Sequence, residues 1–257
     1  MEARRYREWR KAVNHERLGQ AVYNNAVWCD AVCRAHGSPG ELVDGMWINR
    51  RKTPRFYPNA VTLSEDPGPA VQLKRIHDLG QAGIPGAWSV KDSFRALDLT
   101  PLGFQILFDA EWICRAPSRR GLGRFSGTRW GRVASASELA DWELACERER
   151  IDQKDADEPR IFLPSLLADR DIAVIAAYDG QRIVAGAIAN RTADVVGMSN
   201  VFVPASEAGR FRAGCVAGII EAFPGLPIVG YEEGRGLPAV RSLGFDALGP
   251  LRVWVKR

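Results

Sequence analysis

The side chains best spaced to hold a metal ion lie in one short stretch. Cys29, Cys33 and His36 follow one another at i, i+4 and i+7, a spacing that places them on one face of a helix. Zinc sites built from cysteine and histidine have four ligands in characteristic pairs, and the chain offers no second cluster to complete such a set. We therefore interpret these residues as core-facing and expect no metal cofactor.

A second distinctive stretch is basic and rich in glycine. The segment from Arg115 to Arg132 contains six arginines and no acidic residue, together with Phe125 and Trp130. One interpretation is a basic linker between domains. The other is contact with RNA or a nucleotide phosphate, through arginine pairing and aromatic stacking. We favour the linker and expect no nucleic-acid partner.

Nucleophilic catalysis by serine or cysteine has no support in the sequence. The three histidines, His15, His36 and His77, lie in the first half, and none stands in a recognisable pattern with a nucleophile. A catalytic triad is therefore not predicted.

Bulk properties fit a soluble protein with one large core or two cores of ordinary size. The 257 residues, 46% of them hydrophobic, are enough for two cores of ordinary size, and a formal charge of +4 does not by itself require a polyanionic partner. Five scattered cysteines do not form a disulfide framework, and the first ten residues lack the apolar region of a signal peptide. We expect a cytoplasmic protein that does not associate with membranes.

The chain contains one unit twice. Leu102-Gly103-Phe104 recurs as Leu243-Gly244-Phe245, and Asn59 recurs as Asn200, both at the same offset (243 − 102 = 200 − 59 = 141). A repeat of this length indicates paired domains, because solenoid repeats run at roughly 20 to 50 residues. The sequence predicts a first domain over 1–115, a linker over 116–128 and a second domain over 129–257.

Periodicity and turn residues give the order of elements in the second copy. Ser135 and Glu138 form a capping box, Asp179-Gly180 joins two β-rich runs into a hairpin, and Ser206 can cap a long helix. The predicted elements are a strand at 129–134, a helix from 135 to about 150, strands at 172–178, 182–188 and 195–203, a helix ending near 223, a strand at 228–231, a helix at 237–242 and a strand at 251–256.

This order, with Leu-Gly-Phe after the last helix, resembles the GNAT (GCN5-related N-acetyltransferase) superfamily, in which tandem halves occur. The resemblance implies an α/β (α+β) fold of two GNAT-like domains, each a mixed, mostly antiparallel sheet flanked by helices. The first copy is interpreted as degenerate. It shows no match to the Asp179-Gly180 hairpin and retains two strand-like runs, Met46 to Asn49 and Phe56 to Leu63.

The resemblance implies acetyl-CoA or another acyl-CoA as co-substrate. In the family, the strand before the long helix splays from its neighbour and binds the pantetheine arm, which places Val201, Phe202 and Val203 at the co-substrate. The next turn binds the pyrophosphate. Its residues here are Ser206, Gly209, Arg210, Phe211 and Arg212. Of the three positions in the family pattern, Gly209 matches, whereas Ser206 and Phe211 depart from it.

The chain also departs from the family at the residue that protonates the leaving thiolate. The family's common acid, a tyrosine four residues before the glycine of Gly-Phe, is replaced by Val240 and, in the first copy, by Leu99. Possible substitutes are Tyr231 with Glu232 at a strand end, and Asn200 or Tyr178 on neighbouring strands.

The function implied by the resemblance is direct acyl transfer from acyl-CoA to a small-molecule or peptide amine. The alternative is a non-catalytic GNAT-like protein that binds a CoA-like ligand, a metabolite or a protein partner. The acceptor, the acyl length and the oligomeric state stay open.

Overall fold

A computed structural model describes residues 2–117, 128–149 and 159–257, with side chains from residue 14 onward. The helices are α1 (Glu2–Ala35), α2 (Pro69–Gln81), α3 (Ala136–Arg148), α4 (Ala208–Ala222) and α5 (Leu237–Ser242). The strands are β1 (Glu41–Val43), β2 (Met46–Ile48), β3 (Ala60–Thr62), β4 (Trp88–Asp92), β5 (Gln105–Arg115), β6 (Arg129–Arg132), β7 (Ile172–Asp179), β8 (Arg182–Arg191), β9 (Val196–Phe202), β10 (Ile228–Glu233) and β11 (Asp246–Lys256).

The first compact unit consists of Met1–Cys114 together with Gly230–Arg257. Its strands follow the order β1-β2-β3-β4-β11-β5, and the end of β10 lies beside β5. Neighbouring strands are antiparallel from β1 to β3 and from β4 to β5, whereas β3 and β4 run parallel. Its core includes Trp88 and Phe104, whose ring centroids lie 4.8 Å apart.

The second compact unit is Arg115–Val229. Its strands follow the order β9-β8-β7-β6 with antiparallel pairing, and β10 begins parallel to β9. Helix α3 begins as predicted, because the Ser135 hydroxyl accepts a hydrogen bond from the backbone N–H of Glu138 at 3.1 Å. The predicted Asp179-Gly180 hairpin is confirmed as the connection between β7 and β8.

The compact units differ from the ranges predicted from the repeat, 1–115, 116–128 and 129–257. Residues 230–257 belong to the second copy by sequence but to the first unit by contacts. The reason is strand pairing, since β11 lies between β4 and β5 and hydrogen-bonds to both. Residues 118–127 of the predicted linker lie outside the described residues.

Two local predictions were wrong. The first copy does contain a hairpin, in which Asp44 and Gly45 connect β1 to β2 with φ of 44° and 70°. Two successive positive φ values are typical of the tight turns that match the twist of a β-ribbon. Ser206 does not cap α4 either. The N-cap is Glu207, and a short 3-10 turn, Ala205–Glu207, precedes the helix.

The mixed α/β class predicted from the sequence is confirmed, with a mostly antiparallel sheet flanked by helices. Within the described ranges, we find no helix with both the length and the apolar character that a membrane crossing requires.

Candidate functional site

Strand β9 contains a bulge in the middle of its pairing with β8. Two residues of β9, Asn200 and Val201, face a single residue of β8, Ala187; the flanking pairs are Gly186 with Phe202 and Ile188 with Ser199. Asn200 has φ of 51°, in the left-handed region that costs a non-glycine residue about 1–3 kcal/mol. Bulges and strained residues of this kind are concentrated at functional sites, because they redirect backbone groups.

Strand β9 also begins a parallel pairing within the second unit. The ladder consists of Val196 with Ile228 and Gly197 with Val229. Strand β9 continues past this ladder to Phe202, through the bulge.

The corresponding strands of the first copy stay paired at the equivalent positions. Asn59, which corresponds to Asn200 by the 141-residue offset (200 − 59), donates its backbone N–H to the carbonyl oxygen of Ser89 at 2.8 Å. Residues Ala60 and Val61 continue that parallel ladder along β4. The side chain of Thr62 closes the end, because its hydroxyl accepts the backbone N–H of Ser93 at 2.8 Å. The positions of the first copy that correspond to the bulge are therefore paired within the first unit.

Behind the bulge, Phe202 is buried against α3. Its ring centroid lies 5.1 Å from that of Trp142 in an edge-on arrangement. Gly186 makes this packing possible, because a Cβ there would lie 2.3 Å from the indole nitrogen of Trp142. Phe202 therefore supports β9 from the core side. Val201 is half-buried, and Val203 packs against the small cluster of Ala177, Ala185 and Phe211.

The turn after β9 leads into the N-terminus of α4. Ser206 is exposed, and the N-cap residue Glu207 makes no side-chain capping bond. Instead, Glu207 forms an ion pair with Arg210, with 2.7 Å between Oε1 and Nη1. Arg210 also donates to the Thr128 hydroxyl at 3.2 Å. Because Arg210 balances the charge of Glu207, this carboxylate does not leave a net negative charge at the helix N-terminus.

The other residues of the predicted phosphate turn divide between solvent and core. A Cβ at Gly209 would have nothing within 4 Å, so the backbone there is open to approach. Phe211 is buried and packs on Trp130, with 6.2 Å between ring centroids, so its side chain faces the sheet. Arg212 is half-buried beside Cys215. Open backbone at Gly209 is the property that phosphate binding needs.

Tyr178 is not suited to donate a proton. Its hydroxyl donates a short hydrogen bond to the Glu138 carboxylate, and the Arg129 guanidinium lies 3.7 Å from its ring centroid. Burial raises the pKa of Tyr178, and the bond to Glu138 raises that pKa further. Its proton is held by a structural partner.

Tyr231 belongs to the first unit and is enclosed by aromatic and charged neighbours. Its ring stacks on that of Phe108, with 6.3 Å between the ring centroids. It also packs edge-on with Trp112, with 5.6 Å between the ring centroids. The ammonium nitrogen of Lys91 lies 4.9 Å from the Tyr231 ring centroid. Tyr231 is half-buried, so that its ring is held in place without being sealed from solvent.

Glu232 and the family's acid position also have defined surroundings. The Glu232 side chain lies over the turn before α5, so that a Cβ added at Gly236 would be 2.3 Å from the carboxyl carbon of Glu232. The Oε1 atom of Glu232 accepts a hydrogen bond from the backbone N–H of Glu233 at 3.3 Å. Val240 and Leu99, which replace the family's tyrosine, are both buried in apolar cores.

The predicted residues therefore fall into two groups. Asn200 to Val203, Ser206, Gly209 and Arg210 to Arg212 follow one another along β9 and α4 in the second unit, while Tyr231 and Glu232 lie on the part of β10 assigned to the first unit. Sequence reasoning missed Lys91 as a neighbour of Tyr231. Lys91 is followed by Asp92, and charged residues are rarely buried, so the sequence gave no signal of a buried position.

Neither the models of known protein families nor the sequences of curated proteins match this chain. Solved structures do. A GCN5-related N-acetyltransferase from Kribbella flavida is 14% identical with a TM-score of 0.57, covering 90% of this chain and 95% of its own.

Two further solved structures are similar. A candidate acetyltransferase from the GNAT family of Novosphingobium aromaticivorans is 11% identical with a TM-score of 0.55, covering 91% of this chain and 97% of its own. A functionally unknown conserved protein from Staphylococcus epidermidis is 15% identical with a TM-score of 0.52, and the match covers 82% of this chain and 83% of that protein. The chain has the GNAT fold, and the resemblance predicted from the sequence is confirmed at the level of fold.

Proposed function

We propose that this protein is an acyl-CoA-dependent N-acyltransferase that uses acetyl-CoA as donor and a primary amine as acceptor. The observation that carries the proposal is the bulge of β9 at Asn200, in a chain with the GNAT fold. Backbone groups that a bulge redirects out of a ladder can bond the amides of a pantetheine arm, as strand edges do with extended peptides.

The residues of β9 and α4 suit the successive parts of acetyl-CoA. The backbone at Val201 and Val203 would bind the pantetheine amides, and the bulge at Asn200 would direct a backbone group at the thioester carbonyl. The first turn of α4, at Gly209 and Arg210, would bind the pyrophosphate, because helix N-terminal N–H groups and the helix dipole attract anions.

The reaction needs one proton removed and one delivered. The amine nitrogen attacks the thioester carbon, the C–N bond forms and the C–S bond breaks. We assign Tyr231 as the acid that protonates the departing thiolate. Asn200 is assigned to orient the amine, and Glu232 to accept the proton that the amine loses, directly or through water.

Calorimetric titration with acetyl-CoA tests the donor site. We expect wild-type protein and Gly209→Gln to bind acetyl-CoA, and Gly209→Glu to bind at least tenfold more weakly, because a negative charge would face the pyrophosphate. The open space at Gly209 means that neither variant should unfold the protein. Equal affinities of the Gln and Glu variants would show that the turn does not contact phosphates.

A second candidate is a non-catalytic protein that binds a CoA-like ligand, a metabolite or a protein partner. The buried Val240 and Leu99 favour it, since the family's proton donor is absent at both positions. Release of free CoA from acetyl-CoA in the presence of a mixture of primary amines distinguishes the two. Tight binding with no amine-dependent release would favour the binding protein.

A further inference from the structure

Lys91 is a buried lysine whose contacts are not those of a surface ion pair. Its side chain is 6% exposed on β4, and Nζ donates a hydrogen bond to the amide oxygen of Asn25 at 2.9 Å. The Sγ of Cys29 lies 4.0 Å from Nζ, and the Tyr231 ring centroid lies 4.9 Å away. Among the described residues, no carboxylate forms an ion pair with it. A buried ammonium without a carboxylate is costly unless another group compensates it.

The groups around Nζ differ in how they can compensate that charge. Burial disfavours the ammonium form, yet the neighbouring Cys29 and Tyr231 outweigh burial and raise the pKa of Lys91. Burial also raises the pKa of the Cys29 thiol, despite the opposing effect of Lys91 and with a further increase from Asp30. Cys29 therefore stays a neutral thiol at neutral pH and acts on Lys91 only at the alkaline pH where the thiol ionises. Tyr231 is the remaining acidic group in contact with Lys91.

The aromatic neighbours on β5 fix the position of Tyr231 relative to this charge. Phe108 stacks on the Tyr231 ring, and Trp112 lies edge-on to that ring, with an angle of 83° between the two ring planes. Trp112 is itself held, because its indole N–H donates to the carbonyl oxygen of Ser93 at 2.9 Å. Both β5 neighbours are uncharged. Lys91 is thus the charged group that acts on the phenol from within the core.

We infer that Lys91 is a positioning residue that stabilises the phenolate of Tyr231 when Tyr231 gives its proton to the departing thiolate of CoA. In this step the O–H bond of Tyr231 breaks and an S–H bond forms on CoA. Glu232 takes the proton that the acceptor amine releases and passes it through water to the phenolate, which restores both groups. The inference rests on the proposed acyl transfer, but the contact between Lys91 and Tyr231 can be tested without it.

Ultraviolet titration of the phenol is the direct test. Absorbance at 295 nm is followed against pH for the wild type and the Lys91→Gln variant, each compared with the same protein carrying Tyr231→Phe, so that the difference isolates Tyr231. Glutamine keeps a donor for Asn25 but removes the charge. We expect Tyr231 in the Lys91→Gln protein to ionise at a pH higher by about one unit or more, because an adjacent cation favours the phenolate.

The Lys91→Arg variant is the matched control, because it keeps the charge and should titrate close to the wild type. Circular dichroism and melting temperatures show whether each variant is folded. If Lys91→Gln is poorly folded, Lys91→Met, which removes the charge but keeps an unbranched apolar side chain in the buried site, takes its place in the titration. An unchanged Tyr231 titration in folded Lys91→Gln would overturn the inference.

Turnover separates this inference from the proposed function. With acetyl-CoA and a mixture of primary amines, we expect Lys91→Gln to lower kcat at least tenfold and leave the KM for acetyl-CoA unchanged. A wild-type protein that does not bind acetyl-CoA would overturn the proposed function and the catalytic role of Lys91 together. Normal turnover in Lys91→Gln would overturn the role of Lys91 alone.

Discussion

The indole N–H of Trp142 on α3 donates a hydrogen bond to the backbone carbonyl oxygen of Ile175 on β7, at 2.9 Å. The same indole lies against Phe202, the last residue of β9, so one side chain ties the helix to the sheet and supports the strand behind the bulge. The conformation of β9 at Asn200 thus depends on packing in the core of the second unit.

Replacement of Trp142 tests this support. We expect Trp142→Phe to lower the free energy of unfolding by about 2–4 kcal/mol, because the buried carbonyl of Ile175 loses its donor and a cavity opens beside Phe202. Urea denaturation measures the change. Leu144→Ala on the same helix is the control, since Leu144 is 50% exposed and its replacement should cost less than about 0.5 kcal/mol. Equal effects of the two substitutions would contradict the packing described.

The carboxylate of Glu143 anchors the segment before β7. It is 3% exposed, pairs with Arg160 at 2.9 Å, and accepts the backbone N–H of Ile161 at 2.5 Å. We expect Glu143→Ala to cost about 1–3 kcal/mol, because the buried backbone N–H of Ile161 loses its acceptor and the half-buried Arg160 loses its counter-ion. Glu143→Gln, which keeps an acceptor, should cost less. If the two variants have the same stability in urea denaturation, the bond to Ile161 contributes nothing measurable.

The pair of Tyr178 and Glu138 predicts a dependence of stability on pH. The hydrogen bond from Tyr178 is the main cause that holds the pKa of Glu138 below its ordinary value of 4.5. A lowered carboxyl pKa gives stability that is present above the unfolded value and is lost as the pH falls through the folded value. We expect the melting temperature of Tyr178→Phe to change less between pH 7 and pH 4 than that of the wild type. A larger change in the variant would show that the sign is wrong.

The bulge at Asn200 predicts that two substitutions there differ in their effect on stability. Glycine accepts positive φ without strain, so Asn200→Gly should leave the free energy of unfolding within about 1 kcal/mol of the wild type. Asn200→Val should cost about 1–3 kcal/mol, because a β-branched residue is strained at φ of 51°. Thermal unfolding of both variants checks this. A valine variant as stable as the glycine variant would argue against the left-handed conformation.

Sequence patterns predicted the second copy well where local signals agreed. The capping box at Ser135, the Asp179-Gly180 turn and the helix at Leu237–Ser242 all lie where periodicity and turn chemistry place them. The Asp44-Gly45 turn was missed because its strands have three residues each, too few to show an alternating pattern.

Long-range pairing could not be read from the sequence. Whether β11 joins the strands of its own copy or those of the first copy depends on which edges are available, and no local pattern records that. The contact of Lys91 with Asn25 spans 66 residues and has no periodic signal. The bulge at Asn200 was likewise invisible, because its two-against-one register depends on the partner strand. Resemblance to a family located β9, while its geometry required coordinates.

Hydrogen–deuterium exchange with and without saturating acetyl-CoA tests the central claim most directly. We expect acetyl-CoA to slow exchange of the backbone amides at residues 200–203 of β9 and its following turn and at 208–211 of α4, and to leave the amides of β3 at 60–62 unchanged, because the ladder there is already closed. Bound acetyl-CoA that leaves the exchange of residues 200–203 unchanged, or that protects β3 to the same extent, would contradict the assignment of β9 as the acyl-CoA site.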